Sequence, residues 1–434
     1  MMHDRSLELP RAGALAAERL SAALTRETTT SILGLAAGCF FSGRAVFVLI
    51  SARWLGAGTE PGVFATFAIG AILLIAACLN AFGSRSQPIG WIWKIGTFRW
   101  LAVYLVFSGC SLLWSAAVAP AASALYWGAL LADVIIVILV CRGSGIANGA
   151  HSMMKGFIAG SCILSVIAWL MPAAEDLRLG DLDYFNTNQI GNLCALSVLL
   201  CCILESRKDG RWRIPSAFLT LTLFRSLSKT TLVAFLVAQG YRLLQDAGLS
   251  RRKKLLITLS TVVLVVSFWG LFDAYYGVYT TAGNQAETLT GRTAIWAWTL
   301  DASVSKPLAG NGFDAMWKVA PPFGGEMFEA RHAENELLQQ FFAYGVMGIV
   351  MLVGIYASLW RRFRRVADRS ERTTLIALLL FVLIRGFAEA EPFDLLLPLW
   401  MIAAVTLLQV RTARSTQQNA APETALNTAI NYAG

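Results

Sequence analysis

Apolar runs close to membrane-crossing length recur along the whole chain, broken by short clusters of arginine and lysine. A helix crossing a hydrocarbon core of about 30 Å needs roughly 20 such residues. Inside lipid, every backbone N–H and C=O must be satisfied within the segment, so runs of this kind fold as helices. We read twelve segments, near 30–52, 61–82, 99–118, 121–141, 153–172, 188–204, 214–225, 228–241, 255–272, 335–360, 373–388 and 393–410. Composition agrees: 56% of the 434 residues are hydrophobic and 15% are charged, against about a quarter charged in soluble domains. The expected fold is all-α, a polytopic membrane protein with about twelve transmembrane helices.

The net charge of +9 invites a nucleic-acid reading, but the positions of the charges exclude it. Alternating the connections from a cytoplasmic N-terminus sorts the basic residues. The inside loops 83–99, 142–155, 205–213, 242–254 and 361–372 hold twenty, whereas the short outside connections hold Arg53, Arg178, Arg225, Lys229 and Arg385. That asymmetry is the positive-inside pattern and puts both termini in the cytoplasm. The basic loop 361–372 is a topology anchor that also meets membrane lipid. Residues 1–29 read as a cytoplasmic tail, mixing four arginines with four acids and lacking the apolar core of a signal peptide. Residues 411–434 read as a second tail. Helices one to nine fill 30–272, a large external loop runs over 273–334, and helices ten to twelve fill 335–410. All eight cysteines lie in or at the edge of apolar runs with no CxxC pair, as small packing residues do.

Residues 214–241 are best read as a hairpin, because one long helix would put the basic loops "ESRKDGRWR" and "RRKK" on opposite faces. Each arm is only about 20 Å long at 1.5 Å per residue, so the turn "RSLSKTT" would sit below the outer interface. Polar backbone at that depth requires a protein-lined, wet cavity. Arg225 and Lys229 thereby become site candidates. In the external loop, "GRTAIWAWTLDASV" places Trp296, Leu300 and Val304 at four-residue offsets, predicting a helix near the interface.

The outer face collects polar residues that are costly in a membrane. They are Asn186 and Asn188 opening the sixth segment, Arg225 and Lys229 in the hairpin, Arg292, His332 and Glu334 in the loop, Asn335 opening the tenth segment, and Arg385 with Glu389 and Glu391 in the last turn. Arg44 lies inside the first segment and must face protein or water. Four cations, Arg44, Arg225, Lys229 and Arg292, suit a dense anion such as pyrophosphate. Arginine's planar fork grips two oxygens at once and lysine adds a point charge. The loop offers no DxD pair and no carboxylates at ligand spacing, so no metal and no cofactor are expected. His332 and Glu334 diverge on a helix but converge across a helix-start turn, with Asn335 as N-cap. Either can take a proton from an attacking hydroxyl.

Five stretches together resemble the O-antigen ligase and polymerase superfamily, in the manner of its exopolysaccharide polymerase branch. They are "FNTNQIG" (185–191), "SLSKTTLVAF" (226–235), "GRTAIW" (291–296), "PLAGNGF" (307–313) and "HAENELLQQFFAYGVMG" (332–348). The resemblance implies a metal-independent, inverting glycosyltransferase of the GT-C type with one large periplasmic loop, in the bacterial inner membrane. It implies an undecaprenyl-pyrophosphate-linked glycan as donor and a second glycan, lipid A core or a protein as acceptor. A chain-length regulator protein is an implied partner. The family's pyrophosphate-holding basic residues match Lys229 and Arg292, and Asn186, Asn188, Asn335 and Arg385 stand as substrate-shaping candidates. Two departures stand out. The family frequently has arginine at the place of Lys229, and its histidine usually directly precedes the asparagine. Here Glu334 fills that slot and His332 comes two residues earlier. The rival readings are a flippase for a similar lipid-linked glycan and a non-catalytic subunit of an export system. One-sided charge favours the enzyme, since a transporter lines a through-path.

Overall fold

The computed structural model describes residues 31–83, 89–172, 178–180, 185–207, 212–246, 250–271, 289–323 and 329–410. Both expected tails lie outside them, as do 273–288 and 324–328 of the expected external loop. The described residues form helices and connections without a strand. In chain order the helices are α1 (Ile32–Leu49, prolonged by a wider turn Ile50–Trp54), α2 (Glu60–Gly83), α3 (Gly96–Ser111), α4 (Pro120–Ser144), α5 (Ile146–Leu170), α6 (Thr187–Ser206) and α7 (Arg213–Ser226). Then follow α8 (Lys229–Gln245), α9 (Arg251–Ser267), α10 (Leu289–Val304), α11 (Glu336–Phe363), α12 (Arg369–Arg385) and α13 (Leu399–Val410).

Each expected membrane segment coincides with one of these helices, and α10 is the helix expected within the loop. The count of spans is another matter. Six helices among the described residues are long and apolar enough to cross a membrane: Ile32–Trp54, Glu60–Gly83, Pro120–Ser144, Ile146–Leu170, Thr187–Ser206 and Glu336–Phe363. Others fall short; the segment expected over 99–118 ends as a helix at Ser111, and that expected over 393–410 is helical only from Leu399. The 214–241 hairpin is present, its arms joined through Leu227 in the left-handed conformation (φ 59°). Its first arm has 14 residues, about 21 Å at 1.5 Å each.

Small residues let helices approach closely. α1 and α5 run parallel, with Ser31 N donating to Ser152 Oγ at 2.8 Å. A Cβ added at Gly38 would fall 1.9 Å from the Met153 carbonyl oxygen, so only glycine permits this contact. α13 is buried along its length except at Val410, whereas α9 buries no residue. The apolar outer faces of α2 and α9 are those a bilayer would cover.

Hydrogen bonds fix which helix ends lie together. Glu371, opening α12, accepts from Arg207 Nε at the finish of α6 (2.8 Å) and from Gln409 Nε2 at the finish of α13 (2.8 Å). Ser370 Oγ donates to Asp246 at the finish of α8 (2.8 Å). α8 and α12 are therefore antiparallel, and Lys229 and Arg385 share the opposite end of the bundle. The start of α6 and the finish of α7 join them there, because Thr187 Oγ1 donates to the Ser226 carbonyl. So does the start of α11, where Glu336 N donates to Gly386 O at 2.9 Å.

The fold's sharpest local feature is a break in α11. Gly345 has φ 63° and ψ −152°, backbone that essentially only glycine adopts. The break frees the Phe342 and Ala343 carbonyls and the Val346 N–H, and "PLAGNGF" threads through to satisfy them. Asn311 N donates to Phe342 O (2.9 Å), Gly312 N to Ala343 O (2.8 Å), and Val346 N to Pro307 O (2.8 Å). The same loop is tied to α3 by Phe313 N donating to Ser111 Oγ at 3.0 Å.

Candidate functional site

The site is assembled at the N-terminus of α11. Asn335 caps that helix as expected, its side-chain oxygen accepting from Leu338 N at 3.0 Å. Its Nδ2 donates to Phe387 O at 3.0 Å, which ties the cap to the turn after α12. Just before the cap, Glu334 adopts φ 51°, the left-handed region that non-glycine residues enter at a cost. That turn brings His332 and Glu334 together, with Nδ1 3.6 Å from the carboxylate Oε1 and the Glu334 N–H donating to the same Nδ1 at 3.3 Å. The strain is held from α10, where Trp296 Nε1 donates to Glu334 O at 3.2 Å.

α10 also delivers the first cation. Ile295, Thr299 and Ser303 face inward, which turns Arg292 toward the cap region, its Nη2 3.3 Å from Glu334 Oε2. Leu300 and Val304 face outward. The second cation is Arg385, only 2% exposed. Its Nη2 lies 3.8 Å from Glu389 and its Nη1 3.9 Å from Glu391, ion-pair range but beyond hydrogen bonding. Among the described residues its Nε and Nη1 have no hydrogen-bond partner.

The two proton-accepting candidates of the loop are joined by a carboxylate from outside it. Glu389 comes from the connection after α12 and joins His332 and Glu334, with ligating atoms of all three within 4.8 Å of one another. Spacing along the chain cannot reveal a triad closed by a residue more than fifty positions away. Glu336, the first residue of α11, is buried, accepting from Tyr356 OH (2.8 Å) and Leu396 N (2.9 Å). It fastens α11 to the segment leading into α13.

The hairpin residues occupy the same end of the bundle. Ser228 precedes α8 and donates to Asn188 Oδ1 at 2.9 Å, so "FNTNQIG" and "SLSKTT" meet. Asn186 caps α6 by accepting from Gln189 N at 2.9 Å. Lys229 is exposed at the first position of α8, and Arg225 is half-buried one residue before the α7 finish. Arg44 departs from this group. It forms a two-pronged pair with Asp133 of α4, Nη1 to Oδ2 at 2.7 Å, and lies over the Phe40 ring. Its fork is filled by a buried carboxylate that sequence reading had not singled out.

One further carboxylate anchors the loop. Asp314, also at positive φ (58°), accepts from Ser123 Oγ at 2.6 Å. Burial pushes its carboxyl above the ordinary carboxylate range, and the Ser123 hydrogen bond partly offsets that.

A helical, multi-pass membrane protein whose polar and charged side chains meet at one end of the bundle, around a kinked helix and the loop threaded through it, is the class these features define. Residues 214–353 match the family model described as O-antigen ligase. The chain is also 22% identical over 324 residues to the exopolysaccharide production protein ExoQ of Rhizobium meliloti (strain 1021), covering 68% of this chain and 73% of that one. Over these residues the chain is similar to O-antigen ligase and ExoQ-like proteins, as its motifs imply.

Proposed function

We propose that the protein is a glycosyltransferase that polymerises or ligates a polyprenyl-pyrophosphate-linked oligosaccharide at the periplasmic face of the bacterial inner membrane. The carrying observation is Arg292 paired with Glu334 at 3.3 Å, with His332 on the other side of that carboxylate. An acceptor sugar hydroxyl loses its proton to His332 or Glu334, and its oxygen forms the bond to the donor anomeric carbon. The opposite bond to the carrier breaks, and its electron pair leaves on the diphosphate. Attack from the face opposite the leaving group inverts the anomeric centre.

Arg292 and Lys229, with Arg225 at the same end of the bundle, stabilise the diphosphate as its charge grows. Arg44 is left out of this set because Asp133 already occupies its fork. The pairing of Arg292 with Glu334 couples the two halves of the reaction. A diphosphate drawing Arg292 to itself takes positive charge away from Glu334, and a carboxylate with less positive charge beside it is a stronger base. No step needs a metal. The acceptor is a second lipid-linked glycan, lipid A core or a protein.

Transfer of glycan from a lipid-linked donor in proteoliposomes tests the reading. Arg292→Ala is expected to lower turnover about a hundredfold or more, as when one donor to a developing anion is removed. Undiminished turnover in that variant would remove the proposal's main support. Movement of donor across the bilayer without product would instead identify a transporter.

A further inference from the structure

We propose that Glu389 is a positioning residue of the proton-accepting pair, its buried carboxylate setting the basicity of His332 and Glu334 from the side opposite Arg292. This rests on the glycosyltransferase reading above.

Glu389 lies in the connection after α12, far from either catalytic candidate in sequence. Its side chain is 5% exposed, and its Oε2 has no hydrogen-bond partner among the described residues. A buried carboxylate oxygen left in that state is costly. The nearest cation, Arg385, lies 3.8 Å away and is shared with Glu391. Yet a carboxylate oxygen of Glu389 is within 4.8 Å of ligating atoms of both His332 and Glu334.

The groups facing the cluster are Arg292 from α10, His332 and Glu334 from the turn before α11, Arg385 from the end of α12, and Glu389 and Glu391 beyond it. Arg292 and Arg385 bring two positive charges against the three carboxylates of Glu334, Glu389 and Glu391. The cluster therefore carries an excess of negative charge, and it becomes a stronger sink for one proton when Arg292 turns to the leaving diphosphate. The proton then arrives between two carboxylates. If it settles on His332, the imidazolium is flanked by both. If it settles on Glu334, like-charge repulsion with Glu389 is relieved. In either case Glu389 raises the affinity of the base for the proton taken from the acceptor hydroxyl. Glu389 touches neither substrate in this scheme. Two guanidinium groups within 4 Å of these carboxylates supply the counter-charge that a divalent ion would otherwise bring.

The test is the pH profile of glycan transfer by the full-length protein in proteoliposomes. Glu389→Gln is expected to lower turnover about tenfold or more while leaving KM for the lipid-linked donor unchanged. Loss of the neighbouring negative charge weakens the base, so the acid limb should move to lower pH, by about one unit or more. Glu389→Asp should keep that limb near the wild-type position. Glu389→Gln with wild-type turnover and limb would overturn the proposal. So would inactivation of the wild type by EDTA reversed by a divalent cation, which would assign the three side chains to a metal. Should Glu389→Gln not fold, Glu389→Met, which removes the charge at similar volume, takes its place: a limb moved to lower pH with lowered turnover supports the role, and wild-type turnover and limb overturn it. An Arg292→Ala variant with full activity would instead count against the underlying reading.

Discussion

Replacing Gly345 with alanine probes the device that aims the site. The first turns of α11 carry Asn335 and Glu336, and their direction is set by the break at Gly345. An alanine there must hold φ 63° and ψ −152°, a strain of about 1–3 kcal/mol. Its Cβ would stand 2.5 Å from the Leu308 carbonyl carbon and the Pro307 oxygen. Those atoms are backbone, so they cannot swing aside as a side-chain tip would. Relieving the clash moves the 307–312 strap and endangers three hydrogen bonds, those accepted by Phe342, Ala343 and Pro307, at about 1 kcal/mol each. Strain and the loss of a single bond already reach roughly 3 kcal/mol, about two orders of magnitude in the folded-to-unfolded ratio. Gly240→Ala is the control. Nothing lies within 4 Å of its added Cβ in the middle of α8, and alanine in a helix is favoured over glycine by about 0.8–1 kcal/mol. Both variants can be heated in detergent and the monodisperse fraction followed by size exclusion. Gly345→Ala should melt well below the wild type and lose transfer activity, and Gly240→Ala should match or exceed the wild type. Gly345→Ala with wild-type melting and transfer would refute the strap argument.

Two further outcomes follow from the buried charges. Removing Arg44 leaves the buried Asp133 carboxylate without its cation, so Arg44→Ala should cost about 3 kcal/mol, whereas Arg44→Met with Asp133→Leu should recover most of the loss; a double variant no more stable than Arg44→Ala in the same melting assay would contradict this. Asp314, whose carboxyl is held above the ordinary range by burial, binds its proton more tightly folded than unfolded. Its contribution to stability is therefore present below the ordinary value of about 3.9 and is lost as pH rises from there through the folded value. Asp314→Asn keeps the Ser123 contact and tolerates positive φ, so its stability should gain on the wild type as pH rises above about 4 and then level off; a constant difference across pH would rule out the effect.

Most of the helical layout was legible in the chain because it depends on local rules. Apolar runs, caps and basic clusters act within a few residues, so the all-α reading, the 214–241 hairpin and the Asn335 cap emerged without coordinates. The convergence of His332 and Glu334 was legible for the same reason, since one helix-start turn is a local event. What the chain could not reveal is where distant charges find partners. Arg44 read as one of four anion-binding cations until α4 placed Asp133 against it. Glu389 read as one acid among several in a turn until the antiparallel run of α8 and α12 and the tie from Asn335 to Phe387 drew it to His332. Likewise "PLAGNGF" showed itself as a motif, but its purpose exists only where it meets the broken turn of α11. Local backbone preference is written in neighbouring residues, whereas electrostatic pairing falls off with distance in space and takes no account of separation along the chain. The first sets which helices form; the second, available only once they pack, decides which charged groups remain for chemistry.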